Sequence, residues 1–140
     1  MIKDIHHTSI STTNLKRLLG FYRDLLGMEV IAEGPFGSEE MDSITGLDGA
    51  RGKGTMLRAG KSLLEIFEYE NPQPTEKNTL RRACDPGFTH ICFEVTHLQD
   101  QYERLKSAGI TFHCAPLKFG NSKATYARDP DGNIVELLEI

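Results

Sequence analysis

The chain contains an internal repeat, and this repeat limits its fold more than any other feature. An alternating stretch of apolar and polar residues, typical of a β-strand, comes first and is followed by apolar residues at helical spacing. The same order returns in the second half of the chain, where His90 aligns with His7, 83 positions earlier. Leu98 aligns with Leu15 at the same spacing. A histidine therefore stands in the first predicted strand of each half.

Residues that begin and end helices accompany both copies of this pattern. In the first half, Asn14 is a predicted N-cap and Gly27 stands where the helix would stop. In the second half, Thr96 and Gln99 have the spacing of a capping box, and Gly109 would end the helix. Each half thus predicts one strand followed by one amphipathic helix.

Three further strand-like stretches follow each helix, so both halves predict the order β-α-β-β-β. The last two strands of the second half are separated by residues 129–132, an Asp-Pro-Asp-Gly sequence typical of a tight turn. The predicted strands span residues 28–32, 54–58 and 62–69 in the first half and residues 111–114, 124–128 and 133–139 in the second.

The repeat predicts a single domain of the α+β class over residues 1–140, in which two β-α-β-β-β modules pair to form a concave cleft. Module one spans about residues 1–70 and module two about residues 87–140. The proline-containing stretch at about residues 71–86 is predicted to link the modules. Residues 34–54 are rich in glycine and are predicted to form a long loop inside the first module.

A glutamate lies inside an apolar run in the last strand of each half. Glu65 and Glu136 are each flanked by apolar residues on both sides. A carboxylate in such a strand costs free energy unless something neutralises its charge. If the modules pair, the alternation of strand side chains directs these two glutamates, together with His7 and His90, toward the shared cleft.

A divalent cation would resolve the charge problem in such a cleft. Two carboxylates brought together in a partly dry site raise the pKa of one of them or force its protonation. The same two carboxylates cancel the charge of a divalent cation, and two neutral imidazoles complete a nitrogen and oxygen donor set that suits Zn, Ni, Co, Mn or Fe(II). The predicted metal ligands are His7, Glu65, His90 and Glu136.

Composition and charge argue against several classes of partner. The net charge is -4 and there is no basic cluster, so we expect no binding to nucleic acid. No apolar stretch has the length of a membrane span, and the first ten residues lack the features of a secretory signal, so we expect a cytoplasmic location. Cys84, Cys92 and Cys114 form no C-x-x-C pair and are predicted to be reduced, structural thiols.

Three stretches of the chain resemble the vicinal oxygen chelate superfamily. They are HHTSISTTNLKRLLGFYRDLLGMEV, GFTHICFEV and DPDGNIVELLEI. This superfamily includes glyoxalase I, methylmalonyl-CoA epimerase, extradiol dioxygenases, fosfomycin-resistance thiol transferases and bleomycin-binding proteins. The resemblance covers nearly the whole chain and implies paired β-α-β-β-β modules, commonly in a homodimer. It also implies that four residues occupy the metal-ligand positions of glyoxalase I, namely His7, Glu65, His90 and Glu136.

A set of two histidines and two glutamates resembles that of glyoxalase I and of the epimerase. The resemblance implies a divalent-metal-dependent lyase or isomerase that acts on a small molecule next to a carbonyl, through an enediolate-like intermediate, with Glu136 or Glu65 as the base. One alternative is an Fe(II) extradiol dioxygenase, in which His7, His90 and Glu136 would form the metal triad and Glu65 would have no role. The resemblance also admits an epimerase-like isomerase or a small-molecule binding or resistance protein.

Two positions depart from the family patterns. The catalytic glutamate of the epimerase would fall near Gly49, next to Asp48, and Ser11 stands where glyoxalase I usually has an arginine that holds glutathione. Seven other polar residues could line the cleft or the surface, and we expect solvated, ion-paired or packing roles for Glu94, Arg58, Tyr126, Arg128, His6, His97 and His113.

Overall fold

The computed structural model describes residues 1–75 and 81–140, and it confirms the predicted α+β class with two sheets. The chain divides into two compact units, Met1–Glu76 and Lys77–Ile140. Part of the predicted linker at residues 71–86 lies outside the described residues. Among the helices in the described ranges, none has the length and apolar content needed to cross a membrane.

The first unit is a four-stranded sheet with two helices. Its elements are β1 (Thr8–Thr12), α1 (Leu15–Leu19, continued by a π-helical segment, Gly20–Leu25), β2 (Glu29–Gly37), α2 (Glu39–Thr45), β3 (Arg51–Ala59) and β4 (Ser62–Asn71). The strand order is β1-β4-β3-β2, and the opening strand β1 runs parallel to the closing strand β4. The other neighbouring strands are antiparallel.

The second unit repeats this arrangement. Its elements are β5 (His90–Glu94), α3 (Leu98–Ser107), β6 (Thr111–Phe112), β7 (Leu117–Phe119), β8 (Ser122–Arg128) and β9 (Ile134–Glu139). The strand order is β5-β9-β8-β6, with the short β7 also paired to β8. Here too the opening strand β5 runs parallel to the closing strand β9. The two additions to the predicted β-α-β-β-β order are α2 in the first unit and β7 in the second.

The helix-packed face of each sheet forms the core. Helix α1 packs on β4, and α3 packs on β9. Leu64 and Ile66 on β4 are buried, and so are Val135 and Leu137 on β9. Because strand side chains alternate between faces, the residue between each buried pair must face the opposite side of the sheet. In both units that residue is the glutamate of the apolar run.

The prediction of a long loop at residues 34–54 is wrong. Strand β2 continues to Gly37, and α2 follows with Ser38 as its N-cap, whose hydroxyl accepts a hydrogen bond from the backbone of Met41 at 3.2 Å. The glycines that suggested a loop serve other purposes. Gly46 ends α2 at a φ of 68°, while Gly52 lies where β3 approaches β4 so closely that a Cβ would stand 2.0 Å from a carbonyl oxygen.

The first helix begins as predicted, and the second does not. The side chain of Asn14 accepts a hydrogen bond from the backbone N–H of Arg17 at 2.9 Å, which confirms the predicted N-cap. The capping box predicted for Thr96 and Gln99 is wrong, because α3 is capped one residue later by His97. That residue has a φ of 54° and makes no side-chain capping bond within the described chain.

Carboxylates from the closing strands hold the start of both helices. Glu68 on β4 accepts a hydrogen bond from the backbone N–H of Leu15, and Glu139 on β9 accepts one from the N–H of Leu98 at 3.4 Å. Partial burial opposes ionisation of Glu139, but hydrogen bonds from the backbone N–H groups of Leu98 and His97, together with Lys123, leave its pKa lowered. Both carboxylates lie three residues after the glutamate of the apolar run.

The predicted turn between β8 and β9 is confirmed. Asp129 accepts hydrogen bonds through Oδ1 from the N–H groups of Asp131 at 2.9 Å and Asn133 at 2.8 Å. Gly132 has a φ of 81°, a conformation that glycine adopts without steric cost. This turn fixes the register in which β9 presents Glu136 to β8.

Candidate metal centre

The first unit brings a predicted histidine to a predicted glutamate. His7 stands directly before β1, and Ser9, two residues later, pairs with Glu65 in the parallel register. The Nε2 atom of His7 lies 3.4 Å from Oε2 of Glu65. Their side chains are 39% and 22% exposed, so neither residue is enclosed in the core.

The second unit forms the equivalent pair. His90 opens β5, and Cys92, two residues later, pairs with Glu136 in the parallel register. The Nε2 atom of His90 lies 3.0 Å from Oε2 of Glu136, and the two side chains are 26% and 19% exposed. In each unit, therefore, the glutamate pairs with the residue two positions after the histidine, and the two side chains meet.

The four predicted ligands thus form two pairs in this chain. Within residues 1–75 and 81–140, no group of three or more His, Cys, Asp or Glu side chains is arranged to hold a metal ion. One pair alone supplies a nitrogen and an oxygen donor, which is fewer than the three or four protein ligands of most catalytic zinc sites. Neither pair alone is therefore a complete donor set of that kind.

Each imidazole also has a partner at its other nitrogen. The Nδ1 atom of His7 lies 2.8 Å from Nδ1 of His6. The Nδ1 atom of His90 lies 2.9 Å from the hydroxyl oxygen of Thr89. In both units the residue directly before the histidine makes this contact, which leaves Nε2 directed at the glutamate. Sequence reasoning assigned His6 to the surface and gave Thr89 no role.

Two protic side chains stand beside Glu136. Tyr126 on β8 pairs with Glu136 in the register, and its ring centre lies 4.9 Å from that of His90. Burial, and then the charge of Glu136, raises the pKa of Tyr126. Burial and the same carboxylate raise the pKa of Cys92 to about 11. The Cys92 thiol is therefore protonated at pH 7 and can donate a hydrogen bond to Glu136, whereas Glu136 acts on Tyr126 through its charge.

We expect Cys92 to react slowly with iodoacetamide, at least about 10-fold more slowly at pH 8 than an unperturbed thiol. Its raised pKa leaves little of the reactive thiolate. Cys84 and Cys114 are also free and exposed, and they serve as internal references in the same sample. The measurement is a time course of alkylation by peptide mass spectrometry. Equal rates at all three cysteines would contradict the expected protection of Cys92.

An aromatic cluster lies on the face of the first sheet that carries Glu65. The ring of Phe36 lies 5.0 Å from Phe67 and 5.0 Å from Tyr69, and Met56 pairs with Glu65 in the register. Phe67 and Tyr69 follow Glu65 at intervals of two on β4, so strand alternation could have revealed them. Phe36 was hidden because its stretch was predicted to be a loop.

The other polar residues have structural contacts. Arg58 forms an ion pair with Glu29 at 2.7 Å, which agrees with the role expected for it. Arg128 donates to Nε2 of His113 at 3.1 Å and to the carbonyl of Gly132 at 2.8 Å. These contacts hold Arg128 at the turn that precedes β9.

Comparison with known proteins identifies the family to which the chain belongs. A glyoxalase family protein from Bacillus cereus superposes with a TM-score of 0.92 over 99% of this chain and 95% of that chain, at 18% sequence identity. At this identity the likeness concerns the fold. Residues 4–137 match the model of the Glyoxalase/Bleomycin resistance protein/Dioxygenase superfamily, and the chain belongs to this superfamily.

Several curated relatives are similar over nearly the whole chain. A lactoylglutathione lyase of Pseudomonas aeruginosa is 30% identical, over 96% of this chain and 81% of that protein. An uncharacterised protein of Escherichia coli, YaeR, is 28% identical over 99% of this chain and 97% of its own length. The metallothiol transferase FosB of Staphylococcus epidermidis is 28% identical over 98% of this chain and 84% of its own length. The relatives therefore include enzymes with different names.

Proposed function

We propose that the protein is a divalent-metal-dependent lyase or isomerase of the lactoylglutathione lyase type, acting next to a carbonyl. The observation that carries this proposal is the pair of matched His–Glu contacts, His7 with Glu65 and His90 with Glu136. Membership of the superfamily and 30% identity to a lactoylglutathione lyase support it.

The chemistry of the donor set fits a divalent cation of intermediate hardness. His7, Glu65, His90 and Glu136 would hold it through two neutral imidazoles and two carboxylates, whose charge matches that of the cation. Cys92 stands next to Glu136 in the register, but its raised pKa disfavours a thiolate there. Zn, Ni, Co, Mn and Fe(II) are the candidates. When bound, such a cation supplies Lewis-acid polarisation of substrate oxygens beside the carbonyl.

The surrounding residues suit the removal and return of a proton. Glu136 or Glu65 would take a proton from the carbon next to the carbonyl and return it to the neighbouring carbon. Cys92 can donate a hydrogen bond to Glu136 when that carboxylate is ionised. On the other unit, Phe67 belongs to an aromatic cluster that would exclude water from the side of Glu65.

A second copy of the chain would complete the donor set. Each unit holds one pair of donors, His7 with Glu65 or His90 with Glu136. Several large apolar side chains are exposed, including Phe88, Leu117 and Phe119, and are accessible to a partner chain. We therefore propose a homodimer in which each metal ion is bound by one His–Glu pair from each of the two chains.

Light scattering of the purified protein in solution should give a molecular mass equal to that of two chains.

A subunit-mixing experiment tests the sharing of the metal. His7→Ala and Glu136→Gln variants, each inactive alone, are mixed under conditions that exchange subunits. If a site takes one pair from each chain, some mixed sites contain only intact residues and activity returns. If each site takes both pairs from one chain, every site in the mixture stays damaged, and activity remains absent.

Metal removal and return test the proposed function directly. Protein stripped with a chelator should lose the conversion of the hemithioacetal formed from methylglyoxal and a thiol, and addition of Ni, Co, Zn or Mn should restore it. Because the cation binds the folded protein, we also expect stabilisation by about 2.7 kcal/mol when the free cation is at 100 times its Kd. A folded protein that binds none of these cations would exclude the proposal.

The epimerase-like alternative has less support. The position near Gly49, where that enzyme would place a catalytic glutamate, carries none in this sequence. The nearby carboxylate of Asp42 accepts hydrogen bonds from the backbone N–H groups of Gly49 at 2.9 Å and Ala50 at 2.6 Å. The carbonyl of Asp48 accepts a hydrogen bond from Asn71 at 3.0 Å. The carboxylate of Asp42 therefore has a structural role, whereas the contact of Asp48 involves only its backbone.

A further inference from the structure

The contacts at the second nitrogen of each histidine are repeated in the two units. His6 and Thr89 precede His7 and His90, and they are 83 positions apart, like the histidines themselves. They differ in chemistry, but each places a group that can donate or accept within hydrogen-bond distance of Nδ1, at 2.8 Å and 2.9 Å. Because two different residue types make the same contact, the feature that the position requires is a side chain able to hydrogen-bond to Nδ1.

The contact fixes which nitrogen of each imidazole faces the glutamate. Where the neutral imidazole of His90 carries its proton on Nε2, which lies 3.0 Å from a carboxylate oxygen of Glu136, that proton is donated to the carboxylate. The Nδ1 atom of His90 then carries a lone pair and accepts the hydroxyl proton of Thr89. The same reasoning applies to His7, whose Nδ1 accepts from a protonated Nδ1 of His6.

Binding of a cation through Nε2 would reverse these roles. The proton on Nε2 passes to solvent, and Nδ1 takes a proton from solvent, so the imidazole stays neutral. Nδ1 then donates, and its partner must accept. The hydroxyl of Thr89 can rotate and accept through its oxygen, and the imidazole of His6 can accept in its other tautomer. A partner that could only donate, such as lysine, would oppose this exchange.

We propose that Thr89 and His6 are positioning residues, which hold the imidazoles of His90 and His7 with Nε2 toward the glutamates and accommodate both tautomers. Through this orientation they set the strength of cation binding. The inference rests on the proposed metal function, but the tautomer that it specifies belongs to the metal-free protein as well. Each unit can therefore be tested without any catalytic assay.

Thr89→Val is the main test because valine keeps the branched shape and removes the hydroxyl. Thr89→Ser keeps the hydroxyl and is the matched control. We expect Thr89→Val to weaken Ni binding by about 10- to 100-fold in calorimetric titration, as loss of an outer hydrogen bond to a ligand does elsewhere. We expect Thr89→Ser to retain wild-type affinity. His6→Leu and His6→Asn form the equivalent pair of variants for His7.

Imidazole ¹⁵N spectra of the metal-free protein provide a second measurement. Wild type and Thr89→Ser should carry the His90 proton on Nε2, whereas Thr89→Val should show a mixture of tautomers. If wild type binds Ni, equal Ni affinity in Thr89→Val and Thr89→Ser overturns the inference, whatever the spectra show. If wild type binds no cation but Thr89→Val still changes the tautomer, the proposed function fails and the orienting role stands. If wild type binds no cation and the spectra of the two variants agree, both fail.

Discussion

Glu136→Gln should lower kcat/KM by about 10²- to 10⁴-fold, the range expected for loss of a general base. The substitution keeps the shape of the side chain but removes the charge that lies 3.0 Å from Nε2 of His90. We also expect weaker cation binding, since one anionic donor is lost. The measurements are steady-state kinetics and metal titration of the same preparation.

Glu29→Gln is the matched control for this prediction. Glu29 is an exposed residue whose ion pair with Arg58 lies on the surface, and such pairs contribute about 0 to 1 kcal/mol to stability. This control should retain wild-type activity. If Glu136→Gln were as active as Glu29→Gln, Glu136 would be neither base nor ligand.

Glu65→Gln distinguishes a lyase from a dioxygenase. A four-ligand lyase site loses a donor and, if Glu65 is the base, its proton acceptor, so its activity falls sharply. A dioxygenase site built on His7, His90 and Glu136 would keep its triad. Oxygen uptake with catechol and Fe(II) that survives Glu65→Gln would therefore contradict the lyase proposal.

Gly52→Ala should destabilise the first unit by about 2 to 3 kcal/mol, as overpacking of a tight site does. An added Cβ would lie 2.0 Å from the backbone oxygen of Glu68 and 2.9 Å from Cα of Tyr69. Both atoms are backbone, so β3 and β4 must separate to relieve the contact. Urea unfolding measures the free energy of unfolding.

Gly34→Ala is the matched control for this substitution. Gly34 lies on β2, and an added Cβ there would meet no described atom within 4 Å. Its free energy of unfolding should change by no more than about 0.5 kcal/mol. If both variants unfold at the same urea concentration, the close approach of β3 and β4 at Gly52 is contradicted.

Much of the fold followed from local signals in the sequence. The change from alternating to helical spacing predicted the opening strand and helix of each unit, and Asn14 and Gly109 marked helix ends correctly. Both signals depend on residues close together in the chain, where periodicity and backbone preference act directly.

The errors arose where long-range contacts override local ones. Thr96 and Gln99 have the spacing of a capping box, yet the start of α3 receives a carboxylate from Glu139, 41 residues away. Glycine suggested a loop at residues 34–54, but Gly52 serves the close approach of two strands. Neither contact leaves a local pattern in the sequence.

The candidate site was partly predictable because its residues occupy equivalent positions in the two halves of the repeat. The repeat aligned His7 with His90 and Glu65 with Glu136, and the structure brings each histidine to the glutamate of its own unit. The contacts at Nδ1 were not predicted because the residues that make them, His6 and Thr89, are of different types, although they too are 83 positions apart. The register-paired neighbour Cys92 could be identified only after the strand pairing was known.

The two units surround their His–Glu pairs with different chemistry. Glu65 shares its face with aromatic rings, whereas Glu136 has the hydroxyl of Tyr126 and the thiol of Cys92 beside it. Glu68 and Glu139 each accept a hydrogen bond from the start of the helix in their own unit. Substitutions around the His–Glu pair of one unit therefore need not destabilise the other unit. The duplicated architecture thus lets an aromatic lining in one unit and a protic lining in the other diverge separately during evolution.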